Sequence, residues 1–287
     1  MITLSEMLKD QSIIICSIVR DAEEGLRKNI PVIRSLVSLF KDYRIVIFEN
    51  DSKDDTKKLL STWEKDDKQH VKVFMDNLSS EKTIPSSRTV NCNPFFSKKR
   101  ISKMVSLRNQ YLEVIDQEGW SADYLMVVDL DVASLGLDSI LSSFNSNVDW
   151  DAVTAFGYSL SPRLTRRYHD TYALTEYGDD KNPQTEEKIK LLADKYGKLS
   201  KADEWVRVYS AFGGLAIYKY EAIKGLRYKL IDNDDNRVEV RCEHFSICQQ
   251  MEKRGYGKIY INPKMTLKYQ DLTWKIITNS LKRKFCF

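Results

Sequence analysis

The sequence predicts an α/β protein: a mostly parallel central sheet with helices on both faces. Three observations carry this expectation. From Ser12 onward, short apolar runs rich in β-branched residues alternate with stretches of helical spacing. The runs are hydrophobic throughout rather than every second residue, as expected of strands covered on both sides. Each run ends in a polar break. A length of 287 residues with 42% hydrophobic content allows one large domain or two small ones, with a proper core.

Ser12 to Val19 is the first strand, breaking off at Arg20 and Asp21. Leu26, Ile30, Ile33, Leu36, Val37 and Phe40 then recur with helical spacing, and Pro31 marks a helix start or a kink. A second strand, Tyr43 to Glu49, ends in the polar stretch Asn50 to Thr56, which caps a helix from about Asp55 to Lys65. A third strand lies near Val71 to Met75. After a polar, proline-containing loop from Asn77 to Lys98, a helix spans Lys99 to Glu118, with Arg108 and Asn109 in its middle. The fourth strand begins at Tyr124 and runs into Asp129 and Asp131, separated by Leu130. Extended backbone points those two carboxylates the same way, a geometry suited to one divalent cation; the plainer reading is a buried strand ending in a polar turn. Ligands of such sheets bind beyond the carboxyl ends of the strands. Arg20 with Asp21, Glu49 to Thr56, and Asp129 with Asp131 therefore share one rim.

A helix over Leu137 to Phe144 and a strand near Ala152 to Phe156 follow, and the regular alternation then stops. Residues 158–205 hold Arg163, Arg166, Arg167, Tyr168, His169, Tyr172 and Tyr177, then a charged helix from about Thr185 to Lys195. This is either a lid shaping a polar site or a decorated surface loop. Val206 to Ser210 leads to Phe212, Gly213 and Gly214, where two glycines let the backbone approach a ligand or another chain closely. Ala216 to Tyr220 is a further strand. Cys242 to Tyr256 is a helix with Glu243 and His244 in its first turn and Gly255 as its stop, followed by a strand at Lys258 to Ile261. The tail, Leu272 to Phe287, interleaves apolar residues with Lys275, Lys282, Arg283 and Lys284. Such a tail lies on an anionic membrane or packs on the domain or a second subunit.

Forty-five basic against 41 acidic residues, net charge +4, spread along the chain, argue against a nucleic-acid-binding surface. The five cysteines (Cys16, Cys92, Cys242, Cys248, Cys286) form no Cys-x-x-Cys pair and read as reduced thiols of a cytoplasmic protein. Neither a signal-peptide pattern nor an apolar run of about 18 residues is present.

The order of these motifs resembles a nucleotide-sugar-dependent glycosyltransferase of the GT-A fold. The stretch Glu49-Asn50-Asp51-Ser52-Lys53-Asp54-Asp55-Thr56 is similar to the Asp-Asp-Gly-Ser-x-Asp-x-Thr signature of the large inverting family, and its Glu-Asn-Asp-Ser form is closer to fungal capsule-associated mannosyltransferases. The resemblance covers about residues 15 to 270 and implies a single domain over 1–287. Residues 11–135 form its nucleotide-sugar half, 136–271 its acceptor half with 158–205 inserted, and 272–287 the tail. It further implies that Ser17, Val19 and Arg20 receive the base, that Glu49, with Asp51 beside it, holds base or ribose, and that Asp131 ligates the metal directly. Asp129 lies nearer the ribose or a metal-bound water. Gly213 and Gly214, with Trp205, fall on the acceptor side. Glu243 and His244 match the Glu-Asp pair whose aspartate is the base of inverting members. Position 244 is His, so either residue takes the proton or the enzyme is a retaining one. A further metal-ligating histidine of the family has no counterpart here, where Lys268, Tyr269, Gln270 and Asp271 stand; Asp271, Gln270 or His244 is the alternative ligand.

The chemistry is consistent with that order. Cleaving a sugar–diphosphate bond leaves new charge on the leaving group, which Mn²⁺ or Mg²⁺ stabilises as a Lewis acid. These ions take oxygen ligands, one or two carboxylates with phosphates completing the shell. Arg108, or Arg163, Arg166 or Arg167, adds bidentate phosphate contacts, or each is a surface ion pair. The expected partners are a GDP- or UDP-sugar and a glycan, polysaccharide or lipid-linked acceptor, with the protein cytoplasmic or peripheral at the inner membrane surface. Two other readings are a sugar nucleotidyltransferase, which needs a glycine-rich loop where Arg20 to Gly25 has one glycine, and an inactive sugar-binding scaffold.

Overall fold

A computed structural model describes residues 4–77, 93–160, 165–271 and Thr278. In chain order the elements are α1 (Leu4–Leu8), β1 (Ser12–Val19), α2 (Glu23–Val37), β2 (Asp42–Asn50), α3 (Thr56–Asp66), β3 (Val71–Asp76), α4 (Lys98–Gln117), β4 (Tyr124–Val128), α5 (Leu137–Phe144) and β5 (Ala152–Leu160). The second half adds β6 (Arg166–Tyr168), β7 (Thr175–Glu176), α6 (Glu186–Tyr196), β8 (Val206–Ser210), β9 (Leu215–Lys219), α7 (Tyr220–Ile223), α8 (Glu243–Lys253) and β10 (Ile259–Lys268).

The strands join in one ten-stranded sheet, ordered β3-β2-β1-β4-β9-β5-β10-β8-β7, with β6 paired to β5. Through β3, β2, β1 and β4 every pairing is parallel. The β9 strand runs antiparallel between β4 and β5, and only the β5–β10 pairing restores the parallel sense. Alternation along β1 divides the core, as the pleat requires. Ile13, Ile15 and Val19 face one hydrophobic cluster with Leu26 and Ile33 of α2 and Leu60 and Trp63 of α3. Ile14 and Cys16 face the other, with Tyr111 and Ile115 of α4 and Ile247 and Met251 of α8. Helices therefore cover both faces, as the uniformly apolar strands demand.

Three differences from the sequence reading matter. Helix α2 continues through Pro31 rather than starting there. Both β5 and β10 run past the expected limits, Phe156 and Ile261. The stretch after Tyr158 is in part structural: Tyr168 and Leu174 are 2% and 0% exposed, so they are core residues rather than lid decoration. Arg163, Cys92, Cys286 and the basic tail 272–287, apart from Thr278, lie outside the described residues. Cys16, Cys242 and Cys248 are buried, free thiols. No described helix is long and apolar enough to cross a membrane.

Candidate functional site

A cavity of about 450 Å³ opens at the carboxyl ends of β1, β2 and β4, with Val19, Arg20, Asn50, Asp129 and Asp131 on its wall. The first three strand endings thus meet at one rim. The β4 strand stops at Val128, so Asp129, Leu130 and Asp131 form a turn instead of the expected strand continuation. Leu130 is 0% exposed and anchors the turn in the core, leaving a carboxylate on either side facing the cavity. The turn is held from behind by α2. Buried Asn29 donates through Nδ2 to the carbonyls of Leu130 (3.0 Å) and Val132 (2.9 Å) and accepts from the Leu135 amide (3.0 Å). Gly25 lies so close that a Cβ there would meet the Leu130 carbonyl oxygen at 2.5 Å. In front, the Tyr269 hydroxyl donates to Asp129 Oδ2 at 3.0 Å, and the Asp129 amide donates to the Gly214 carbonyl at 2.8 Å.

Opposite these carboxylates stands one face of α4. Arg100, Lys103, Met104, Leu107 and Arg108 recur at helical spacing and all line the cavity. Arg108 is 3% exposed, lies 2.9 Å from Glu243 and 3.8 Å from Asp129, and packs over the ring of Phe212. Its Nη1 is buried and finds no hydrogen-bond partner among the described residues. A buried guanidinium nitrogen without an acceptor suits an anionic ligand. Burial, and then the neighbouring Arg20 charge, lower the Lys103 pKa.

The third wall comes from α8 and the β6–β7 connection. Glu243 and His244 both face the cavity but are sealed, at 4% and 1% exposure. Burial raises the Glu243 carboxyl, yet the Arg108 charge and further partners outweigh it and bring the pKa down to about 2. Burial, reinforced by Arg108, lowers the His244 pKa to about 3. His244 stacks on Phe212 at 4.0 Å between ring centroids, and neither of its ring nitrogens has a hydrogen-bond partner among the described residues. Glu243 is therefore a permanent anion locked to Arg108, and His244 a neutral ring. Asp170 completes this wall. Burial and the carboxylates of Glu243 and Asp129 raise its pKa to about 8. Asp129 is raised to about 7 by burial, Arg108 opposing and Asp131 adding. Asp21, Asp51 and Asp170 are the non-glycine residues with positive φ among the described residues (48°, 58° and 62°); Asp170 lines the cavity, and Asp21 and Asp51 each directly follow a lining residue, Arg20 and Asn50.

The remaining sequence candidates distribute unevenly. Val19 and Arg20 line the cavity, and Arg20 pairs with Asp51 at 3.9 Å. Ser17 does not line it: the hydroxyl is buried and donates to the Val128 carbonyl at 2.7 Å, cross-linking β1 to β4. Glu49 is 1% exposed and accepts from the Ser52 amide at 2.7 Å, so it shapes the turn that presents Asn50. Gly213 and Gly214 lie close against their own chain. A Cβ on Gly213 would meet the Ala155 carbonyl at 2.3 Å, and one on Gly214 the Tyr269 hydroxyl at 2.7 Å. Trp205 is remote from the cavity, packed edge-on against Tyr260. Asp271 pairs with Lys28 and Lys268 at the surface, and neither it nor Gln270 lines the cavity; Tyr269 reaches in instead. Arg166 and Arg167 also lie outside it. Asn29, Arg100, Lys103, Asp170 and Tyr269 were not singled out from sequence as parts of the site. For Arg100 and Lys103 the signal was present, since both share the helix face of Arg108.

Among the described residues no group of three or more His, Cys, Asp or Glu side chains forms a metal cage. The donor set that is present, two carboxylates on one turn facing buried cations across a cavity, fits the way Mn²⁺ or Mg²⁺ is shared between a protein and a ligand's phosphates. Asp131 and Asp129 would hold it.

The family model described as Cryptococcal mannosyltransferase 1 matches residues 12–250, which takes in every wall of the cavity except Tyr269. The chain belongs to this family. No curated protein matches the chain significantly. Among solved structures it is similar to the mannosyltransferase PcManGT from Pyrobaculum calidifontis in complex with GDP-Man and Mn²⁺, at 9% identity and TM-score 0.45, over 90% of this chain and 56% of that one. Glucosyl-3-phosphoglycerate synthase from Mycobacterium tuberculosis, in complex with Mn²⁺, UDP and phosphoglyceric acid, aligns at 12% identity and TM-score 0.48, over 98% and 82%. Staphylococcus aureus TarS with UDP-GlcNAc aligns at 10% and 0.46, over 91% and 60%. The chain thus spans little more than half the length of PcManGT.

Proposed function

We propose that this family member transfers a hexose, mannose being the first to test, from a GDP- or UDP-sugar to a glycan, polysaccharide or lipid-linked acceptor. One observation carries the reading: the carboxylates of Asp129 and Asp131 face Arg100, Lys103 and Arg108 across a single cavity at the strand ends. A nucleoside diphosphate with a divalent cation suits that division of charge: Asp129 and Asp131 would hold the cation, and Arg100, Lys103 and Arg108 would meet phosphate oxygens. When bound, the metal would act as a Lewis acid that stabilises the departing diphosphate. Arg108, already desolvated and fixed by Glu243, holds its charge where leaving-group charge develops without reorganising. Tyr269 and Asn29 keep the Asp129–Asp131 turn in place.

The nucleotidyltransferase alternative loses support from Gly25. The glycine it needs for a phosphate loop is used instead to seat α2 against the Asp129–Asp131 turn. Thermal shift with a panel of GDP- and UDP-sugars, with and without Mn²⁺, tests the proposal. A ligand at a hundred times its Kd stabilises by about 2.7 kcal/mol, so at least one sugar nucleotide is expected to raise Tm by several degrees only with the metal. No metal-dependent shift across the panel overturns it. The proposal includes a cytoplasmic protein whose tail touches anionic membrane, which co-sedimentation with anionic against neutral vesicles checks.

A further inference from the structure

A second cavity, of about 620 Å³, borders the first, and both are lined by His169, Asp170 and Tyr172. Its own walls differ in chemistry. The Asp129 and Asp131 carboxylates and the arginines of α4 are missing from it; the aromatic rings of Phe95 and Phe96 are interspersed with Asn93, Glu187 and Lys190. Flat apolar faces beside scattered hydrogen-bonding groups recognise a saccharide, whose ring has an apolar C–H face and a rim of hydroxyls that both donate and accept. Phe95 is 53% exposed. Phe96 packs on Tyr172 with ring centroids 4.6 Å apart, so that part of the wall is preformed.

Asp170 stands on the partition. Its left-handed backbone, φ 62°, is uncommon for a residue with a side chain and is held by the surrounding chain: the carbonyl of Asp170 accepts from the Ala173 amide at 3.0 Å, and the preceding His169 stacks on Tyr269. The Asp170 carboxylate makes no side-chain hydrogen bond or ion pair among the described residues, although Glu243 and Asp129 are near enough to raise its pKa. A half-buried carboxyl without a side-chain partner among the described residues, lining both cavities, is arranged for a ligand hydroxyl.

We propose that the second cavity binds a hexose unit of the acceptor and that the Asp170 carboxyl group accepts a hydrogen bond from the hydroxyl that receives the transferred sugar. This deepens the transferase reading and rests on it for the word acceptor. The binding site itself is tested independently. Saturation-transfer NMR with methyl α-mannoside, methyl α-glucoside and methyl β-galactoside is run on the wild type, Phe95→Ala and Asp170→Ala, each with and without GDP or UDP and Mn²⁺. At least one glycoside is expected to give a signal that falls tenfold or more in Phe95→Ala and in Asp170→Ala, while the nucleotide thermal shift of Phe95→Ala, which lines the second cavity alone, equals that of the wild type. Asp170→Asn, which keeps an acceptor oxygen, is expected to recover part of the signal. Silence from all three glycosides, or a signal that neither substitution lowers, overturns the subsite whatever the nucleotides do. A wild type that binds a glycoside but no nucleotide overturns the transferase reading and leaves a saccharide site standing.

Discussion

The Asp129–Asp131 turn and the Glu243–His244 helix start are two acidic corners of the same cavity, built in opposite ways. Asp129 keeps 21% of its side chain exposed, and its turn is fixed mainly by neutral hydrogen bonds, donated by Asn29 and Tyr269 and accepted by the Gly214 carbonyl. Glu243 is closed off and fixed by charge, through Arg108. Position in a motif order brought both pairs to the cavity, but access and partners decide what each does there. A carboxylate fixed mainly by neutral groups stays open to a ligand, and Asp129, its pKa raised to about 7 by burial, takes its full charge as a cation approaches. One matched to a buried guanidinium sets that guanidinium in place, and with a pKa near 2 it is a poor proton acceptor at neutral pH.

The sharpest way to break this contrast is Glu243→Gln. Removing one member of a buried pair leaves Arg108 uncompensated, so a loss of about 3–5 kcal/mol is expected in urea unfolding. Stability within experimental error of wild type, with turnover lost, would return Glu243 to a purely catalytic role. Acid unfolding probes the same corner. His244 has a folded pKa near 3 against 6.5 for the free side chain, so between those values the unfolded chain binds more protons and stability falls as the pH drops from about 6.5 to about 3. Asp129 and Asp170, whose pKa values are raised, act with the opposite sign, favouring the folded state while protonated and losing that contribution as pH rises through about 7 and 8. His244→Phe should flatten only the acid-side decline; an unchanged profile would mean that the ring is not kept neutral by burial.

The open corner is expected to respond in activity rather than in stability. Asp131→Ala should lower Mn²⁺-dependent donor turnover at least about a hundredfold, which corresponds to about 2.7 kcal/mol, with the urea midpoint unchanged; full activity would remove Asp131 from the site. Asn29→Ala leaves buried carbonyls and an amide unpaired, so about 2 kcal/mol of stability should go together with weaker metal-dependent donor binding. Loss of stability alone would show that the turn holds its shape without it. Ser17→Ala is the mild control: about 1 kcal/mol from a lost buried hydrogen bond, and no change in donor affinity by titration calorimetry.

Much of the fold was legible because the first four strands announce themselves as unbroken apolar runs with polar ends, and a parallel sheet gathers those ends mechanically. The second half was less legible because β9 reverses direction inside the sheet, and no periodicity encodes strand direction. The same limit applies to single residues. Ser17 lies inside an apolar run and Asp129 follows one, and only the register of β1 on β4 decides that the hydroxyl is consumed by a backbone carbonyl while the carboxylate faces the cavity. Two adjacent glycines, Gly213 and Gly214, mark a close approach, but the sequence carries no sign of what approaches. Asp170 has no local pattern at all: its role comes from the meeting of β6, α8 and β4, which are distant in the chain.

Gly25 and Asn29 lie one helical turn apart on α2, on the side of the Asp129–Asp131 turn away from the cavity. No substrate reaches them, yet each is a position where adding or losing a few atoms displaces the carboxylates in front. A saturation scan of this protein should therefore find a narrower range of tolerated residues at these two dry positions than at an exposed position such as Leu191. Searches for variants with altered metal preference would do well to begin on that hidden helix face, where a shift of a few tenths of an ångström is transmitted to both carboxylates at once.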